Sequence, residues 1–171
     1  GVDGDAAYAI FVSSDGNDAD NGTRARPVRT IQQGITLASA QAPPFAVYVS
    51  AGFYGESITL ASGVSVYGLY NRADAWKRGS ANVTQLLGGA TAVAATLLIS
   101  PTRLDGLGIT AACAGTPGGN SIAVYASETG TYLAIHGCTI IAGNGGGGTG
   151  GVNGSTVSDT ATGGGGGNNG D

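Results

Sequence analysis

A chain of 171 residues can hold one domain with a continuous core, but 33 glycines and only 11% charged residues set this one apart from ordinary soluble enzymes. The formal net charge of −4 and the seven basic residues, scattered except for Arg24, Arg26 and Arg29, exclude the basic stripe of a nucleic-acid binder. No apolar run reaches the length of a membrane span, so neither nucleic acid nor a bilayer core is expected as a partner.

In chain order, Ile10-Phe11-Val12-Ser13 reads as an opening strand that enters an acidic turn. Within that turn Asp15, Asn17, Asp18 and Asp20 offer closely spaced oxygens, the donor type that calcium takes. The spacing is not that of an EF-hand loop, because Ala19 stands where a ligand belongs and no closing Glu follows. Hydrogen-bonded turn chemistry is the competing reading of the same residues. Arg24, Arg26 and Arg29 come next, placed to contact the neighbouring acidic turn. Thr30-Ile31-Gln32-Gln33 is a capping box and predicts a helix over about 30–41, with Ile31, Ile35 and Ala38 on one face and Pro43-Pro44 beyond its end. Such a helix would cover the edge of the first strands that follow it.

Those strands are Ala46–Ser50, the run through Phe53-Tyr54, and Ile58-Thr59-Leu60, leading into Val66-Tyr67-Gly68-Leu69. The last pattern returns as Leu104-Asp105-Gly106-Leu107 and Ile135-His136-Gly137-Cys138, 38 and then 31 residues later. Apolar runs precede the later copies too, at Leu97-Leu98-Ile99 and Ile122-Ala123-Val124-Tyr125. Repeats of this length predict stacked coils, with the shared glycine at the corner of each coil. The alignment turns Leu60, Leu69, Leu97, Leu107, Ile109, Val124 and Ile140 inward.

At this point the chain resembles the right-handed parallel β-helix proteins of the pectin-lyase-like superfamily. The resemblance rests on Ile10–Ser13, Asp15-Gly16-Asn17-Asp18, Asn21-Gly22-Thr23, Pro27, Thr30-Ile31 and the first coil at Ala46–Tyr54, and it covers roughly residues 8 to 142. It implies an all-β right-handed parallel β-helix with a short amino-terminal capping helix. It says little of activity, because lyases, hydrolases, adhesins and surface fibres share that scaffold. A boundary falls near Ala142, giving a β-helix over 1–142 and a glycine-rich tail over 143–171. The tail reads as a linker or as an extended segment packed on a partner.

The repeats place Tyr67, Asp105 and His136 at one position of successive coils, the one stacked polar row in the chain. An Asp over a His beside an aromatic ring suits a carbohydrate contact. No second carboxylate joins the row, and Arg103 stands two residues before Asp105 as a local partner, so no catalytic residue is assigned. Cys113 and Cys138 form either a disulfide between adjacent coils or two separate thiols. No cofactor is expected, calcium at the acidic turn being the one exception.

The chain holds no methionine, which suggests a processed or partial form, and its Thr, Ser, Asn and Gly content suits a secreted, extracellular or cell-surface protein. Sequons stand at Asn21, Asn82 and Asn153. The function expected is a structural or adhesive module that associates with itself, head-to-tail in a fibre, or with surface polysaccharide. The alternative is a carbohydrate-binding or polysaccharide-degrading domain whose active coils lie outside this chain.

Overall fold

The computed structural model describes residues 8–151. Strand β1 (Ala9–Val12) precedes helix α1 (Ile31–Ser39), after which the chain is built from short strands. A first pass runs through β2 (Ala46–Ser50), β3 (Gly52–Tyr54) and β4 (Ile58–Thr59), and a second begins with β5 (Val66–Asn71). A detour through β6 (Lys77–Arg78) interrupts the second pass before β7 (Thr84–Gly88) and β8 (Thr91–Thr96). The third pass is β9 (Thr102–Asp105), β10 (Gly108–Ala111) and β11 (Ile122–Ser127), and the fourth supplies β12 (Leu133–His136) and β13 (Thr139–Ile141).

These strands form three sheets, in the orders β1-β2-β5-β9-β12, β3-β7-β10-β13 and β4-β8-β11, with β6 alongside β5. Every pairing is parallel except that of β5 with β6. Among the described residues the fold is therefore strand-rich, with parallel sheets and one α-helix. Neighbours within a sheet are one whole pass apart in sequence.

The register produces continuous apolar rows. Val47, Val66, Leu104 and Ile135 are successive partners in the first sheet, and Tyr54, Leu86, Ile109 and Ile140 in the second. Because alternate residues of a strand face one side, each row fills the interior once per pass. Burying each such side chain contributes about 1.5–3 kcal/mol. In these two rows the third-pass residues Leu104 and Ile109 are buried, but Ile135 is 42% exposed and Ile140 44%.

Of the expected inward residues, Leu60, Leu107 and Ile109 are buried and Val124 packs against the core. Leu97 is a correction. It adopts φ 53° in the turn after β8, which takes the chain out of the strand and leaves Leu97 64% exposed, while Leu98 is 2% exposed in its place. The run Leu97–Ile99 is accordingly a corner and not a strand. The corner expected at the shared glycine holds for Gly106 and Gly137, at φ 70° and 58°, whereas in the first copy Leu69 takes that conformation at φ 68°. Gly68 is needed for a different reason, since a Cβ there would strike the carbonyl oxygen of Gly106.

Helix α1 buries Ile31, Ile35 and Ala38 as its sequence predicts and packs on β1, β2 and β4. The Thr30 hydroxyl accepts from the Gln33 N–H at 3.2 Å, but the Gln33 side chain is not the other half of the cap. Asp18 fills that role by accepting from the Thr30 N–H at 2.9 Å, while Glu56, from the first pass, accepts from the Ile31 and Gln32 N–H groups at 2.7 and 3.0 Å. Burial pushes the Glu56 carboxyl above its ordinary range, and the two N–H donors only partly offset this. The Gln32 side chain in turn accepts from Thr59 N–H at 2.7 Å, tying the helix to β4.

The glycine-rich segment does not leave the fold at Ala142. Ala114 and Gly118 donate to the carbonyls of Asn144 and Gly147 at 2.8 and 3.0 Å, so the chain runs beside the loop that joins β10 to β11. Gly146 is obligatory there because a Cβ would overlap the Thr116 carbonyl. Residues 152–171 of the expected tail, with the sequon at Asn153, lie outside the described residues.

Replacing Glu56 with Ala should leave two helix N–H groups without their acceptors and cost about 1–2 kcal/mol. Urea unfolding checks this: the midpoint should fall while the slope stays the same.

Candidate functional site

The outer face of the first sheet carries the row that the repeats align. Phe11, Tyr48, Tyr67, Asp105 and His136 are successive cross-strand partners. The upper part of this row is covered by residues 72–83, which cross it as a strap. Asn71 begins the strap by accepting from Ala73 and Asp74 N–H at 3.0 and 3.3 Å. Ala75 and Trp76 both adopt left-handed backbone, at φ 50° and 61°, and this reverses the chain so that β6 can lie antiparallel to β5. The turn seats Trp76, which is buried, against Phe11 with ring centroids 4.7 Å apart. Stacking of Tyr48 on Tyr70 at 4.6 Å completes the cluster.

The strap ends at the polar part of the row. Arg78 donates from Nε to the Gly68 carbonyl at 2.9 Å and from Nη2 to Asp105 Oδ1 at 2.5 Å. Arg103, on the same face of β9, donates from Nε to Asp105 Oδ2 at 2.9 Å, and its Nη2 lies 2.7 Å from that oxygen. His136 Nδ1 is 3.2 Å from Oδ2. The Asp105 side chain is only 9% exposed, Arg78 22% and His136 70%. Burial alone would raise the Asp105 carboxyl, but hydrogen bonds and charge from Arg78 and Arg103 outweigh it and hold the group below the ordinary value of 3.8. Asp105 is thus a fixed carboxylate with both oxygens occupied. That state suits a clamp and not a proton donor.

Tyr67 belongs to the row but is no open sugar platform, because the Arg78 guanidinium lies 5.8 Å from its ring centre and the Tyr48 ring is edge-on at 5.9 Å. An open cleft of about 310 Å³ borders the clamp, lined by Arg78, Gly79, Ser80, Asp105, His136 and Gly137. A larger cleft of about 410 Å³ lies across the strap, beside Ser13, Ser14, Asp15, Ser50 and Arg72. Its only charged pair is Asp15 with Arg72 at 2.6 Å, and the Ser13 hydroxyl, followed by Arg72, holds the Asp15 carboxyl below its ordinary range.

The side chains of the acidic turn are engaged separately. Asp15 is bound to Ser13 and Arg72, while Asn17 accepts from Ala19 N–H at 3.1 Å. Asp18 accepts from Arg29 N–H, Thr30 N–H and the Thr30 hydroxyl at 2.8, 2.9 and 3.0 Å, and Asp20 pairs with Arg26 at 2.6 Å. The four side chains serve four different local bonds, the contacts that the turn reading expects. Among the described residues no three His, Cys, Asp or Glu side chains gather as a metal group.

Cys113 and Cys138 are unbridged. Cys138 packs against the interior, whereas Cys113 is exposed and its sulfur accepts from Asn144 N–H at 3.3 Å. The sequon at Asn82 is consumed by the fold, since Asn82 Nδ2 donates to the Leu69 carbonyl at 2.9 Å and Thr84 is buried. Arg78, the residue that completes the clamp, was missed in the sequence. The available signal was the repeat spacing, because the first interval exceeds the second by 38 − 31 = 7 residues and the strap lies within it.

The DUF1565 family model, described as a protein of unknown function, matches residues 14–100. The chain belongs to the DUF1565 family. No curated protein and no solved structure matches it. In this DUF1565 chain the matched segment takes in α1, the first two passes and the strap, while Asp105 and His136 lie beyond it. Among the described residues no helix is long and apolar enough to cross a membrane.

Replacing Asp105 with Asn should cost about 1.5–3 kcal/mol at neutral pH, because two guanidinium groups lose a charged acceptor. A carboxyl held below 3.8 in the fold stabilises above that value, and its contribution disappears as pH falls through the folded value. The variant should therefore lose less stability than the parent on acidification below about pH 4. Urea midpoints measured across that range would check the sign.

Proposed function

We propose that the three parallel sheets close into a right-handed parallel β-helix of the pectin-lyase-like superfamily, and that the chain acts outside the cell as a structural or adhesive module. The architecture is supported by the order in which each pass visits the sheets and by a family associated with β-helix proteins. The functional reading rests on one observation above all: both oxygens of Asp105, the carboxylate of the aligned row, are held by Arg78 and Arg103. Acid/base cleavage of a glycosidic bond uses two carboxylates that face the scissile bond, and this clamp spends its one carboxylate on fixing the strap. Incubation with pectin, alginate and neutral polysaccharides should release no reducing or unsaturated sugar ends. Product formation that Asp105→Asn or His136→Ala abolishes would overturn the structural reading.

A second reading, saccharide binding without cleavage, is favoured by the position of His136. Its imidazole is exposed at the cleft beside Ser80 and Gly137, and Asp105 holds it from behind. Affinity electrophoresis through gels containing the same polysaccharides tests this, with retardation of the parent and its loss in His136→Ala as the outcome that supports it.

A further inference from the structure

The strap is fastened to the fold by little backbone. The pairing that carries the first sheet runs from β2 through β5 to β9, and β6 stands off that path, joined to β5 only through Tyr70 with Arg78 and Asn71 with Lys77. The rings that Trp76 joins, Phe11, Tyr48 and Tyr70, form a cluster separate from the interior one, so the strap can leave without opening the core. Two consecutive residues, Ala75 and Trp76, hold left-handed backbone while the strap is in place, a strain that release relieves. A Cβ on Gly79 would meet only Asn82 Nδ2, at 3.7 Å, so the chain has room to turn there. Against release stand two ion pairs. Arg72 holds Asp15 near one end of the strap, and Arg78 holds the far less exposed Asp105 near the other.

We infer that residues 72–81 are a hinged cover, which swings as one unit off the outer face of the first sheet while the stacked passes stay formed. Its hinges are Asn71, which belongs to β5, and Asn82, whose Nδ2 remains bound to the Leu69 carbonyl at 2.9 Å. Arg78 is the latch, because it reaches from the moving segment to a carboxylate fixed in the third pass. Release uncovers Phe11, Tyr48 and Tyr67 and joins the clefts on the two sides of the strap into one trough with an aromatic floor. The row is thus hidden in one state and accessible in the other. Opening of this kind, confined to a segment with few backbone bonds, requires less free energy than unfolding of the whole chain.

Native-state hydrogen exchange of the full chain tests this. The Trp76 N–H, bonded to the Asn71 carbonyl at 2.8 Å, and the Gly79 N–H, bonded to the Leu69 carbonyl at 3.0 Å, should share one protection, lower than that of the buried Leu86 and Leu104. Glu56→Ala separates local from global opening, since it weakens the closed and the open chain alike. Protection at Leu86 and Leu104 should fall about five- to thirtyfold, while Trp76 and Gly79 keep theirs. Arg78→Ala removes the latch from the closed state, and protection at Trp76 and Gly79 should fall about tenfold or more. Acrylamide quenching of Trp76, the one tryptophan in the chain, should rise in that variant with the far-UV circular dichroism unchanged. Strap amides as protected as Leu104, an equal loss at both in Glu56→Ala, or strap protection that Arg78→Ala leaves unchanged would each overturn the inference.

Discussion

Parallel register is the constraint on which everything else depends. When every strand pairs with the strand one pass later, a side chain's direction is inherited by its successor, and interior and exterior become columns. The interior columns are Val, Leu, Ile and Tyr, and each closes only because the pass above and the pass below supply the same kind of residue. The exterior column from Phe11 to His136 obeys the same geometry without the need for uniform chemistry. It changes from aromatic to charged along its length. Helix α1 completes the first column with apolar residues of another periodicity.

The exterior column shows how a solvent-facing row becomes part of the fold. Three aromatic rings beside one another would leave a large apolar patch exposed, and the strap covers it with Trp76. Two left-handed residues in succession carry a backbone cost of about 1–2 kcal/mol each. Seating an indole against Phe11 and fixing Arg78 on Asp105 offset that cost. The clamp then joins the second pass to the third through Arg78, and His136 extends the contact to the fourth.

The columns were legible in the sequence where alternation and a glycine corner recur together, as at Val66, Leu104 and Ile135. Thr30 and the buried face of α1 were legible because capping and helical periodicity are local. Glu56 was not, since its partners stand 25 and 24 residues away and nothing near it marks a helix end. The Asp-rich turn left two readings open for a physical reason: carboxylates that accept backbone N–H groups have the composition of carboxylates that bind calcium. Leu97 and Leu98 could not be told apart, because which one enters the core depends on a single left-handed residue. Of the candidate site, the row was readable and its state was not. Only the fold shows that Asp105 is enclosed by arginines and that Tyr67 is flanked by Arg78 and Tyr48.

The way the first corner absorbs the strap bears on how such chains diversify. The second pass carries extra residues between its first and second strands, yet Val66 still faces Leu104, and Leu104 still faces Ile135. The disturbance is confined to one shift between Tyr48 and Ser50 and to the left-handed Leu69. A corner that accepts inserted chain without transmitting it to the next pass is a place where new surface can be acquired while the core is kept. Loops of other length and chemistry could be grafted there, provided that their last residues return the chain to the start of β7.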